Sequence, residues 1–207
     1  MKYKHIVFDI DGTLIDTEYA VLKSFQDTLL EITGERKEMD DLRFCLGITG
    51  EDSLKILQIE DIPGAMKLWV EKLYDEKLEK QVFDGIVDIL KALKEADYQL
   101  GIVTSKERAQ FDRDQTCLSI ADYFDVIVCA EDTEEHKPTA APLLKYMELA
   151  GAEDKSEVLY LGDSKYDKEC AGNAGVDFAL AVWGCGGNML EAACYPKTPM
   201  ELLDYLK

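Results

Sequence analysis

The chain has 207 residues, 47% of them apolar and 31% charged, with 42 acidic against 23 basic side chains for a net charge of −19. That composition suits one packed core with a small accessory unit and excludes a disordered chain. No run of Lys and Arg could track a phosphate backbone, so nucleic acid is not an expected partner, and an anionic substrate would need a local cation to overcome the global field.

Cys45, Cys117, Cys129, Cys170, Cys185 and Cys194 form no CxxC pair, and several sit in apolar runs. They read as reduced, mostly buried thiols of a cytoplasmic protein. The start of the chain, MKYKHIVFDID, has only three consecutive apolar residues, so neither a secretory signal nor a membrane span is expected.

In chain order, the apolar run IVF at 6–8 predicts a first strand. Residues 17–81 then read as helices only. Val21, Phe25 and Leu29 share one face; Leu42 and Leu46 precede Gly47; Leu54 and Leu57 follow; Ala65, Trp69 and Leu73 recur beyond Pro63. After Gly85, the positions Ile86, Ile89, Leu90 and Leu93 predict a crossover helix, followed by strands at LGIV (100–103) and VIVCA (126–130). A second crossover helix runs from Pro138 through Leu143, Leu144 and Met147 to Gly151, and strands at VLYL (158–161) and FALAV (178–182) follow. Thr198, Pro199 and Glu201 occupy capping-box positions before a last helix, LLDYL.

Strands alternating with helices predict an α/β fold, a Rossmann-like doubly wound parallel sheet. The core spans 1–16 and 82–207, with a four-helix bundle inserted at 17–81 as a cap over the carboxyl edge of the sheet, where open α/β sheets bind ligands.

Four short segments carry chemistry, each at the carboxyl end of a predicted strand. FDIDGTLIDT (8–17) sets Asp9 and Asp11 two apart, on one face of an extended chain, although Asp11-Gly12 is also an ordinary turn signal. Thr104, in GIVTSK, offers a hydroxyl and the N–H groups of the next turn, including Ser105, to a phosphate oxygen. Lys137, in EEHKPTAAPL, is the local cation among Glu131, Asp132, Glu134 and Glu135, and could simply balance them. Asp163 and Asp167, in GDSKYD, span a strand-to-helix turn where acids also cap helices. Hard carboxylate oxygens suit Mg²⁺. His5 and His136 are the only histidines, which leaves Ser-His-Asp, Cys-His and zinc chemistry poorly supported.

DIDGTLIDT, IVTSK, KPTAAPL and GDSKYD, in that order and over nearly the whole chain, resemble the motifs of the haloacid dehalogenase superfamily. The branch is that of small phosphatases and phosphomutases with a helical cap, such as phosphoglycolate phosphatase and β-phosphoglucomutase. The resemblance implies a phosphohydrolase acting on a small phosphorylated metabolite through an aspartyl-phosphate. Asp9 would be the nucleophile and Asp11 the general acid and then base. Lys137, Thr104 and Ser105 would bind the transferring phosphoryl group. Asp9, the Asp11 carbonyl and Asp163 would hold Mg²⁺, with Asp167 orienting that shell or ligating through water. Thr49, in the turn Gly47–Ser53, is a candidate substrate contact. Asp11 argues against true dehalogenation, which releases no oxygen needing a proton. A mutase is the nearest rival, but its cap Arg matches Gly50 here and its hinge His matches Val21. An inorganic pyrophosphatase and a phosphoryl-holding signalling receiver are further readings. A monomer or a homodimer is expected.

Overall fold

Every residue of the first strand is buried, and its side chains alternate between two apolar clusters, Ile6 and Phe8 facing one and Val7 the other. A strand covered on both faces is the mark of a parallel sheet sandwiched by helices. The computed structural model describes residues 2–75 and 77–206. Strand β1 (His5–Phe8) leads to a two-residue strand β2 (Ile15–Asp16) and then to α1 (Glu18–Thr33), α2 (Met39–Leu42), α3 (Gly50–Ile56) and α4 (Ile62–Leu73). The chain returns through β3 (Gln81–Val82), α5 (Ile86–Glu95), β4 (Gln99–Val103), α6 (Arg108–Arg113), α7 (Gln115–Ala121) and β5 (Val126–Val128). It closes with α8 (Ala141–Ala150), β6 (Val158–Gly162), α9 (Lys165–Ala174), β7 (Asp177–Leu180) and α10 (Leu202–Tyr205).

The five-stranded sheet has the order β5-β4-β1-β6-β7, with every pairing parallel. The winding reverses at β1, so a crevice opens between the carboxyl ends of β1 and β6, the topological switch point of a doubly wound fold. Tyr146 of α8 packs against the sheet at Gly101, where a Cβ would come within 2.0 Å of its ring; a larger residue there would push the ring away. The Tyr146 hydroxyl meets Nδ1 of His5 at 3.2 Å, and burial lowers the pKa of that imidazole. His5 thus packs inside β1 rather than ahead of it.

Between β2 and β3 the helices enclose their own apolar cluster of Phe25, Leu29, Leu42, Leu54, Ala65, Trp69 and Leu73. Phe25 stacks on Trp69 at 4.1 Å between ring centroids, and the Trp69 indole N–H donates to Ser24 Oγ at 3.0 Å, so the buried donor is satisfied. At its base, β2 and β3 pair antiparallel, Ile15 with Val82 and Asp16 with Gln81. This ribbon was not foreseen, because two residues are too few to show a period of two.

Other boundaries differ as well. The third sheet strand stops at Val128 and turns through a 3₁₀ segment, Ala130–Asp132, while the last strand runs 177–180. Helices α6 and α7, not expected from periodicity, are separated at Asp114, whose carboxylate caps α7. The capping box at Thr198 does not form: the Thr198 hydroxyl caps nothing, and Glu201 Oε2 accepts instead from the Lys197 N–H at 2.8 Å.

All six cysteines are free and buried. Burial pushes the Cys45, Cys117, Cys129 and Cys170 thiols up to about 12 and Cys194 to about 11. At pH 8 thiols with such pKa values hold thiolate fractions of about 10⁻⁴ to 10⁻³, far below that of a free cysteine. With all six buried, native protein should show no fast-reacting thiol toward a disulfide reagent, and six after unfolding in guanidinium; one rapid thiol in the native state would contradict the buried placement. Among the described residues, no helix is long and apolar enough to cross a membrane.

Candidate active site

Asp9 follows β1 and stays within the sheet's hydrogen bonding, its N–H donating to the Leu161 carbonyl at 2.9 Å. The chain then turns through Gly12 at φ +82°. A side chain there would be strained, and its Cβ would fall 2.5 Å from Asp163 Oδ2, so glycine is what lets the two strand ends approach. Thr13 Oγ1 donates to Asp163 Oδ1 at 3.1 Å, and the Trp183 indole N–H fixes the Thr13 carbonyl at 2.9 Å. The switch-point crevice thus brings Asp9, from the end of β1, beside Asp163, from the end of β6.

Lys137 reaches in from the loop before α8 and is almost wholly buried. Its Nζ lies 2.8 Å from Asp9 Oδ1 and 2.8 Å from Asp167 Oδ1. Asp167 also ends a capping box at the start of α9: its Oδ2 accepts from the Ser164 N–H at 3.1 Å and lies 2.5 Å from Ser164 Oγ. Tyr160, buried within β6, places its hydroxyl 2.8 Å from Asp167 Oδ1. Both Asp167 oxygens are therefore engaged by protein donors, and this carboxylate chiefly anchors Lys137. Neither Tyr160 nor Ser164 was singled out from the sequence. Tyr160 is one apolar-run residue among several, and Ser164 is an ordinary helix cap.

Carboxylate oxygens of Asp9, Asp163 and Asp167 lie within 4.8 Å of one another. Burial pushes the Asp9 carboxyl up to about 7, with Lys137 opposing the shift and Asp167 and Asp11 adding to it. Burial, then Asp167 and Asp9, drives Asp163 well above the usual carboxylate range. Two buried carboxylates and the half-buried Asp163, against one contacting ammonium among the described residues, leave an excess of negative charge that a divalent cation would neutralise. The donor set fits such an ion: no hydrogen bond among the described residues reaches Asp9 Oδ2 or Asp163 Oδ2, and all the donors are hard oxygens.

Asp11 points elsewhere. Lys106, two residues beyond Thr104, brings its Nζ to 2.7 and 2.8 Å from the two Asp11 oxygens. Burial by itself would raise the Asp11 carboxyl, but the Lys106 ammonium in contact more than offsets it and the net shift is downward. Lys106 was missed in the sequence. The available signal was its place in GIVTSK, at the exit of a central strand, where a cation faces the ligand edge.

Thr104 is buried at the end of β4, its Oγ1 accepting from the Lys106 N–H at 3.2 Å, which leaves the hydroxyl proton to donate. Ser105 Oγ instead donates to the Gly47 carbonyl at 3.0 Å, joining the core to the cap helices. Thr49 does not reach the cavity. It is the N-cap of α3, accepting from the Asp52 N–H at 3.1 Å and donating to Asp52 Oδ2 at 2.7 Å, so the plain helix-turn role holds its hydroxyl. His136 sits in its loop with Nδ1 3.6 Å from Asp52 Oδ2.

A cavity of about 90 Å³ lies between the cap helices and the sheet edge. Asp9, Asp11, Asp163, Ser105 and Lys106 line it from below, and Val21, Gly50 and Trp69 from above.

Comparison with known proteins agrees with this geometry. A family profile described as haloacid dehalogenase-like hydrolase matches residues 6–181. The pyrophosphatase PpaX of Bacillus cereus (strain AH820) is 29% identical over 209 residues, covering 100% of this chain and 95% of the relative. A protein of Caldanaerobacter subterraneus, provisionally named pyrophosphatase PpaX, is 33% identical, covering 88% of this chain and 83% of its own. Among solved structures, a Lactobacillus plantarum protein provisionally named phosphoglycolate phosphatase superposes with a TM-score of 0.89 at 26% identity, covering 99% of both chains. The chain belongs to the haloacid dehalogenase-like hydrolase family, on its phosphohydrolase branch.

Proposed function

We propose that the protein is a Mg²⁺-dependent phosphatase that hydrolyses a small phosphate monoester through a phosphoryl group carried on Asp9. The observation that supports this most is the convergence on one crevice of Asp9, Lys137, Asp163 and Asp167, drawn from three strand ends, with Lys137 Nζ 2.8 Å from both Asp9 and Asp167. Phosphoryl transfer asks for positioning and charge neutralisation more than for elaborate acid chemistry. In this reading an Asp9 carboxylate oxygen attacks phosphorus as the bond to the leaving oxygen breaks, and Asp11, whose ionised form Lys106 favours, relays to that oxygen a proton taken from the substrate monoanion or from solvent. Asp11 then takes a proton from water, the water oxygen attacks phospho-Asp9, and inorganic phosphate leaves with Asp9 restored. Lys137, the Thr104 hydroxyl and the turn at Ser105 hold the transferring group. Asp9, Asp163 and the Asp11 carbonyl would hold the Mg²⁺, which neutralises phosphoryl oxygens when bound. Asp167 acts through Lys137.

The segment 17–81 serves as the cap over this site, and β2 with β3 is its hinge. Free, buried thiols suit a reducing, cytoplasmic setting. Pyrophosphate is a second reading, supported by the relatives named pyrophosphatase. A mutase is disfavoured: Val21 and Gly50 line the cavity where its His and Arg would stand, and a Cβ at Gly50 would already lie 2.7 Å from Met66 Sδ.

Phosphate release with Mg²⁺ over a panel of monoesters and pyrophosphate tests the reading. Turnover of several small substrates is expected, with no conversion of β-glucose 1-phosphate to glucose 6-phosphate by phosphorus NMR. Efficient isomerisation with little free phosphate would give the site to a mutase.

A further inference from the structure

Beyond Asp11, the cap wall of the cavity is mostly apolar, formed by Val21, Ile48, Met66, Trp69, Val70 and Leu73, with Glu18 of α1 as its acidic side chain. Among the described residues that line the cavity, Lys106 is the only cation. Lys137, the other buried cation at the sheet edge, is committed to Asp9 and Asp167. Arg43, in the 3₁₀ turn after α2, lies outside this cavity and is held bidentately by Glu18 at 2.8 and 2.7 Å.

The position of Lys106 is fixed from both ends. Its N–H donates to Thr104 Oγ1 at 3.2 Å, its carbonyl accepts from the Ala130 N–H at 2.9 Å, and its ammonium spans the two oxygens of Asp11. An ammonium has three donors, and Asp11 takes two. The third is left for whatever stands beside Asp11, which in the phosphatase reading is the leaving oxygen.

We propose that Lys106 binds the leaving group's own negative charge, making this site selective for substrates whose leaving group carries an anionic group next to the scissile oxygen. The second phosphate of pyrophosphate and the carboxylate of a 2-phosphoglycolate-like ester share that chemistry. The assignment rests on the phosphatase reading. An ester of a neutral alcohol gives Lys106 no further partner, whereas an anionic leaving group gains a charge-assisted contact with a buried ammonium. In a chain of net charge −19, with no cation from the cap wall, this contact is the one that can offset repulsion of the leaving group.

The test is kcat/KM for pyrophosphate, 2-phosphoglycolate and ethyl phosphate with wild-type enzyme, Lys106→Met and Lys106→Arg, each checked for folding by its melting temperature. Wild type should prefer the two anionic-leaving-group substrates over ethyl phosphate. Lys106→Met should cut that preference by about 10- to 100-fold, the size of one charge-assisted hydrogen bond, and Lys106→Arg should restore part of it. A role confined to positioning Asp11 would lower ethyl phosphate, whose leaving group most needs a proton, at least as much as pyrophosphate, so the preference would hold or rise rather than fall. An unchanged or raised ratio in Lys106→Met, or no preference in wild type, overturns the assignment while ethyl phosphate turnover keeps the phosphatase reading standing. If Lys106→Met fails to fold, the wild-type preference and its retention in Lys106→Arg decide the matter. Phosphate release from none of the substrates sinks both readings.

Discussion

Asp9→Asn is expected to lower phosphate release by at least about 10⁴-fold, since removal of the nucleophile in a covalent hydrolase leaves only binding and polarisation. The fold should survive. Asn has the shape of Asp, and Lys137, which loses one of its two partners, keeps Asp167 at 2.8 Å. The expected pattern is thus an intact melting transition with no label retained after acid quench of a reaction with ³²P-labelled substrate, where wild type retains phospho-Asp9. Asp11→Asn should differ in kind. It keeps the nucleophile but loses proton transfer, a cost of about 10²–10⁴-fold. With p-nitrophenyl phosphate, whose leaving group needs little protonation, its first step should recover and phospho-Asp9 should accumulate. Near-normal rates in both variants would remove the site from this crevice.

Chelation should have the second large effect. Asp9, Asp163 and Asp167 bring three carboxylates together with Lys137 as their one contacting ammonium among the described residues, and burial with this mutual repulsion raises Asp9 and Asp163. EDTA should abolish turnover and Mg²⁺ restore it, while Ca²⁺ should restore little, because its longer and looser coordination misplaces the in-line geometry. A second readout does not depend on activity. An ion that binds only the folded chain at 100 times its Kd adds about 2.7 kcal/mol, or about 5–10 °C in Tm for a chain of this size. Asp163→Asn should abolish that shift, because it removes an oxygen donor without touching Lys137. Full activity in chelator, or a Mg²⁺ shift that survives Asp163→Asn, would overturn the metal assignment.

The chain's own sequence determined the sheet and the residues at its edge. Buried parallel strands must be continuous apolar runs, and crossover helices must show an apolar stripe, so IVF, LGIV and VLYL with their helices were legible. The parallel winding then delivers each strand's carboxyl end to one edge, which is why Asp9, Thr104, Lys137 and Asp163 could be placed near one another from their positions alone. Only the tertiary structure decided the pairings among them. Lys106 meets Asp11 across 95 residues of sequence; its place at a strand exit put it at the ligand edge, but nothing local named Asp11 as its partner. Tyr160 was hidden for the opposite reason: its ring belongs to the apolar run, and its hydroxyl acquires a role only where Asp167 comes to lie against it. Thr49 looked available because a hydroxyl in a helix-to-helix turn can serve a ligand or a helix end, and the start of α3 claimed it. Strand and helix are written in short-range periodicity, whereas the partner of a buried charge is set by which strand ends the fold brings together.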